Sequence, residues 1–88
     1  MSKRVDGNQG DIVEALRAVG AAVQDLHELG RGVPDILVAH NGRLLLMEIK
    51  MPGCKLNERE QRWHAAWPVP VAIVHSVGEA LEALGGNA

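Results

Sequence analysis

Asp35-Ile36-Leu37-Val38-Ala39-His40-Asn41-Gly42-Arg43-Leu44-Leu45-Leu46-Met47-Glu48-Ile49-Lys50 is a pair of apolar runs joined by Asn-Gly. Asn-Gly suits a two-residue turn in which both central residues take positive φ, and between apolar runs it is the strongest short-range hairpin signal. Such a turn fixes the register. His40 lies opposite Arg43, facing residue numbers sum to 83, and Asp35 therefore faces Glu48. Directly opposed residues project to one side with Cβ atoms roughly 4.5–5.5 Å apart, and like charges so placed repel. Lys50 returns to the face of Glu48 by the two-residue period of a strand, while Ile49 points to the opposite face. One end of the hairpin thus gathers Asp35, Glu48 and Lys50. Both strands carry apolar residues on both faces, which predicts a hairpin at the centre of its sheet and covered on each side.

Upstream, Ile12, Val13, Leu16 and Val19 recur at helical spacing, which predicts a helix over 8–19 with Gly20 as its stop. Ala21 to Leu26 reads as a strand, followed by a loop with Gly30, Gly32 and Pro34. Downstream, Asn57 with Glu60 three residues later is a capping box that opens a helix to about Ala66. Val71 to His75 reads as a further strand, and Ser76 with Glu79 as a second capping box before a last helix through Leu84. A helical crossover from the hairpin to that strand makes their pairing parallel. The expected architecture is a single α/β domain over residues 1–88, a mixed sheet of about four strands in the order αβββαβα.

Composition narrows the function classes. A hydrophobic fraction of 47 % and a charged fraction of 23 % describe an ordinary globular chain. No apolar run approaches the roughly 18 residues of a membrane span. The opening Met1 to Asp6 has no signal-type apolar stretch, and the single Cys54 permits neither an internal disulfide nor a cysteine-based zinc site, so the expected setting is intracellular. A net charge of −2 supplies no bulk basic field for indiscriminate nucleic-acid binding. With Trp63 and Trp67 as the only aromatic side chains besides four histidines, base-stacking platforms are also missing. Charge is nevertheless uneven: residues 50–64 hold Lys50, Lys55, Arg59 and Arg62 against Glu58 and Glu60, and the remainder is acidic.

Two facing carboxylates call for a cation between them. Oxygen donors without thiolate or imidazole suit Mg²⁺ or Mn²⁺, which hold substrate phosphate and water in their remaining positions. A lysine beside them can orient an attacking water, a combination suited to phosphodiester hydrolysis. A structural ion pair at a strand end is the plainer account of the same residues.

Gly32-Val33-Pro34-Asp35, twelve intervening residues, and Glu48-Ile49-Lys50 resemble the PD-(D/E)xK nuclease signature in the compact form of the VRR-NUC (virus-type replication and repair nuclease) family. The resemblance spans nearly the whole chain, from an acid on the first helix to Gln61 on the helix after Glu-x-Lys. It implies a restriction-endonuclease-like fold, Asp35 and Glu48 as ligands to Mg²⁺ or Mn²⁺, the Ile49 backbone carbonyl as a further ligand, and Lys50 serving the nucleophilic water. The first-helix acid is Asp11 or Glu14. Asp11 stands about 120° from the centre of the buried face and Glu14 about 180°, so Asp11 is nearer the sheet. The family usually has glutamate there, so Asp11 is a departure. Gln61 matches a glutamine that the family keeps near its lysine.

Lys55, Arg59 and Arg62 are candidates for holding flanking phosphates, with Arg31 in the loop before Asp35, and Lys3 and Arg4 near the start; a solvated helix face explains them equally. His27, His40, His64 and His75 show no ligand spacing and read as surface or strand-end residues, His27 nearest substrate. Trp63, Trp67 and the segment Pro68 to Val74 are divided between core and a subunit interface. Minimal domains of this kind resemble phage proteins that act as homodimers on branched DNA, four-way junctions included, which implies action in the cytoplasm of a bacterial host. Two alternatives stay open: a structure-selective nickase or repair nuclease without junction preference, and a non-catalytic DNA-binding module of the same fold.

Overall fold

The computed structural model describes residues 7–85. Its elements are α1 (Gly7–Ala18), β1 (Ala22–Asp25), a 3₁₀ turn (His27–Leu29), β2 (Ile36–His40), β3 (Arg43–Ile49), α2 (Glu58–Ala66), β4 (Ala72–Val74) and α3 (Val77–Ala83). Local chemistry accounts for their ends. Gly20, at φ 94°, closes α1 with Ala21 N–H donating to Leu16 C=O at 3.1 Å and Gly20 N–H to Arg17 C=O at 3.0 Å, a Schellman arrangement. Asn57 and Glu60 form the reciprocal capping box of α2. At α3 the box is only half made: Ser76 Oγ accepts from Glu79 N–H at 3.1 Å, but the Glu79 carboxylate accepts the His75 N–H at 2.8 Å instead of that of Ser76.

The sheet runs β1-β2-β3-β4, antiparallel across the first two pairs and parallel between β3 and β4. The hairpin is central and its register is the one the turn dictates, Ile36 facing Met47 and His40 facing Arg43. Asn41 and Gly42 take φ 50° and 77°.

One face carries the core. Ile12 and Leu16 of α1, Ile36 and Val38 of β2, Met47, Val74 and the α3 residue Ala80 are buried together. Each large side chain so buried contributes about 1.5–3 kcal/mol. Val19, counted with the α1 stripe, lies past the helix and is exposed.

The other face departs from the expectation of a sheet covered on both sides. It carries the pairs Leu37–Leu46 and Ala39–Leu44, yet Leu44 is 68 % exposed. α2 approaches this face, with Leu29 of the 3₁₀ turn at its margin. Nine residues make about 14 Å of helix, short of the seven-residue β3 at roughly 3.3 Å per residue. The helix sits over the Glu48 end, and the remaining surface is an open apolar groove lined by Leu29, Leu37, Leu44, Leu46, Trp63 and Trp67. The two indole rings stack with centroids 4.5 Å apart.

Candidate active site

Asp35 leads into β2 directly after the buried Pro34, its carbonyl accepting the Leu26 N–H at 2.9 Å and so tying the end of β1 to it. Its Oδ2 accepts the Ile49 N–H across the hairpin at 2.7 Å. Glu48, the residue facing it, is 2 % exposed, the one polar side chain buried among the described residues. Lys50 N–H donates to Val74 C=O at 3.0 Å, which pins the end of β3 to β4. The Lys50 ammonium lies 3.9 Å from Glu48 Oε2 and 2.7 Å from Glu60 Oε1. Strand periodicity thus brings Asp35, Glu48 and Lys50 to one place, and α2 adds Glu60 and His64.

Burial pushes Glu48 up to about 8, reinforced by the negative charges of Asp35 and Glu60 and by hydrogen bonding to Asp35, against the pull of Lys50. Burial alone lowers Lys50, but its hydrogen bond to Glu60 and the surrounding carboxylates outweigh this and hold its pKa above the ordinary value. Burial likewise raises Glu60, and the hydrogen bonds from Lys50 and from Asn57 N–H override it to bring Glu60 below the usual range. Burial holds His64 below the ordinary imidazole value. Its Nε2 lies 3.7 Å from Glu48 Oε1, beyond hydrogen-bond length, and both atoms are buried without a hydrogen-bond partner.

These residues fit a hard divalent cation. A buried carboxylate oxygen without a donor, beside a second carboxylate, is a standing electrostatic cost that a cation removes. Asp35, Glu48 and the Ile49 carbonyl are the oxygen set that Mg²⁺ or Mn²⁺ takes. Among the described residues no three His, Cys, Asp or Glu side chains are grouped so as to hold a metal ion by themselves. Water and substrate phosphate would complete the coordination.

The other sequence candidates are spread over two regions. The Asn8 amide donates to His75 C=O at 3.0 Å, which sets the start of α1 at the sheet end that carries Asp35 and Glu48. Asp11 is exposed there, and Glu14, a turn later, lines a cleft between α1 and β1 with Arg17 and Asp25. The charges that move Glu48 are Asp35, Glu60 and Lys50, not either helix acid. Arg31, Arg59 and Arg62 do converge, lining one shallow cleft with Trp63. The loop makes this possible: Gly30, Arg31 and Gly32 take φ 59°, 58° and 85°, and Gly32 packs so closely on α2 that a Cβ there would lie 2.5 Å from Arg59 C=O. Lys55 is exposed, and the Gln61 amide donates to Leu56 C=O at 2.9 Å. Lys3 and Arg4 lie outside the described residues. His27 is exposed and its N–H donates to Asp25 Oδ1 at 2.7 Å.

Two site residues escaped the sequence reading. Glu60 was explained by its capping box, which hid its second partner. His64 is no surface residue: its side chain is 14 % exposed and turned toward Glu48. Its spacing of four from Glu60 was the available signal, since residues so placed share a helix face.

No family model matches the sequence, and no curated protein matches it. Among solved structures the chain is similar to a VRR_NUC domain, at 24 % sequence identity and a TM-score of 0.72, over 91 % of this chain and 92 % of that one. The chain therefore has the fold of a VRR_NUC domain, as the resemblance implied.

Proposed function

We propose that this protein is a divalent-metal-dependent endonuclease that hydrolyses phosphodiester bonds in branched DNA, four-way junctions included, as a homodimer. The observation that carries the reading is the meeting of Asp35, the buried Glu48 and Lys50 at one end of the central hairpin. The likeness to a VRR_NUC domain supports it.

Asp35, Glu48 and the Ile49 carbonyl would hold Mg²⁺ or Mn²⁺. When bound, such an ion polarises a phosphoryl oxygen and lowers the pKa of water. Lys50, steadied by Glu60 at 2.7 Å, orients the attacking water and offsets charge developing on the phosphate. Asp11, with Glu14 as the alternative, is assigned to the outer hydration of the site. Arg31, Arg59 and Arg62, with Lys55 and Gln61 on the same stretch, hold flanking phosphates, a mode that yields strong salt dependence and little sequence preference.

The open groove around Leu44, Trp63 and Trp67 supports a second copy as its cover, since a single chain leaves this apolar surface in water. A two-fold dimer offers two sites to the two strands of a symmetric junction.

Cleavage of labelled four-way junction, nicked duplex, linear duplex and single strand with Mn²⁺, wild type against Lys50→Ala, tests this. The expected result is paired symmetric cuts in the junction, lost in Lys50→Ala. Equal cutting of every substrate removes the junction preference, and DNA binding without cutting replaces the enzyme with a binding module.

A further inference from the structure

We propose that His64 is a nitrogen ligand of the same cation site, so that the site favours Mn²⁺, Co²⁺ or Zn²⁺ over Mg²⁺. The inference rests on the metal-dependent reading above and extends it to a residue outside the Asp/Glu-x-Lys set. Glu48 Oε1 and His64 Nε2 are both buried, both lack a hydrogen-bond partner, and face each other across 3.7 Å. That gap is too long for a hydrogen bond, so the two atoms do not satisfy one another. It is a few tenths of an ångström above the roughly 3.4 Å spanned by an oxygen and a nitrogen that share a tetrahedral ion at about 2.1 Å each, and about 0.6 Å above the cis spacing on an octahedral ion, so a bound ion would draw the imidazole toward Glu48.

Position supports a ligand over a packed imidazole. Glu48 is 2 % exposed and anchored on β3, while His64 comes from α2, whose capping box is itself fastened to Lys50 through Glu60. The imidazole is thus delivered on a helix that the site's own lysine secures. The His64 ring meets Trp63 edge-on at 6.2 Å between centroids, and its Nε2 lies 3.7 Å from the carboxylate. A nitrogen donor shifts preference along the divalent series away from Mg²⁺, which takes oxygen.

The test is pulsed electron paramagnetic resonance of the Mn²⁺-loaded protein, with and without ¹⁵N-labelled histidine, on wild type and His64→Gln. The expected result is a histidine-nitrogen coupling in the wild type that changes isotope with the label and vanishes in His64→Gln. Titration should show at least about a tenfold loss of Mn²⁺ affinity in the variant, with Mg²⁺ affinity less affected. Bound Mn²⁺ without histidine coupling in the wild type overturns the proposal and leaves the carboxylate site standing. A coupling that persists in His64→Gln overturns it in favour of another histidine. No Mn²⁺ binding by the wild type overturns both this assignment and the metal-dependent reading.

Discussion

Glu60 Oε1 accepts from Lys50 Nζ at 2.7 Å and from Asn57 N–H at 2.9 Å, so one carboxylate oxygen both closes the N-terminus of α2 and holds the lysine of the Glu-x-Lys strand. The helix cap and the candidate catalytic cation are therefore one unit. Glu60→Gln keeps a neutral acceptor for the cap but weakens the hold on Lys50. We expect a fall in kcat of at least several-fold with a stability change within about 1 kcal/mol, whereas Asn57→Ala costs roughly 1 kcal/mol of stability with a smaller effect on rate. Single-turnover cleavage beside urea denaturation separates the two.

Glu48 gives a pH signature. Its pKa in the folded protein, about 8, stands above its ordinary value of 4.5, so the folded state binds more protons than the unfolded one between those values. The stability it contributes is fully present below pH 4.5 and is lost as pH rises through about 8. Thermal melts in chelator should show Tm falling over that window, and Glu48→Gln should flatten the fall. A cation at the site requires the ionised carboxylate, so Mn²⁺ should restore Tm most at the alkaline end and release a proton on binding.

Gly32 is placed where no side chain fits. At φ 85°, with a Cβ 2.5 Å from the Arg59 carbonyl, Gly32→Ala must push the loop off α2. A loss of about 1–3 kcal/mol in urea denaturation is expected, together with weaker DNA binding, because Arg31 leaves the cleft of Arg59 and Arg62. Gly30→Ala meets no atom within 4 Å and should cost less, backbone strain alone.

Leu44 is 68 % exposed in one chain, so Leu44→Lys should leave the monomer's fold and stability nearly unchanged. If a second copy covers the groove, light scattering will read a dimer for wild type and a monomer for Leu44→Lys. A monomeric wild type at high micromolar concentration would refute the dimer.

What the sequence made legible was local in origin. Asn41-Gly42 determines the register that sets Asp35 against Glu48, and the two-residue period puts Lys50 beside them. The Asn57 box and the Gly20 stop are likewise written in neighbouring residues. What stayed hidden depends on how α2 docks. Its short length exposes Leu44, and its placement brings Glu60 to Lys50 and His64 to Glu48 over sequence separations that no periodicity spans. The convergence of Arg31 with Arg59 likewise depends on Gly32 touching the helix backbone.

The central claim is that the hairpin end is a cation-binding hydrolytic centre, and calorimetric titration with Mn²⁺ at pH 8 meets it most directly. The account predicts binding by the wild type, loss of that binding when Asp35→Asn and Glu48→Gln are combined, and retention in Leu44→Lys. Absence of binding by a folded wild type, or unchanged binding in the double variant, would contradict it.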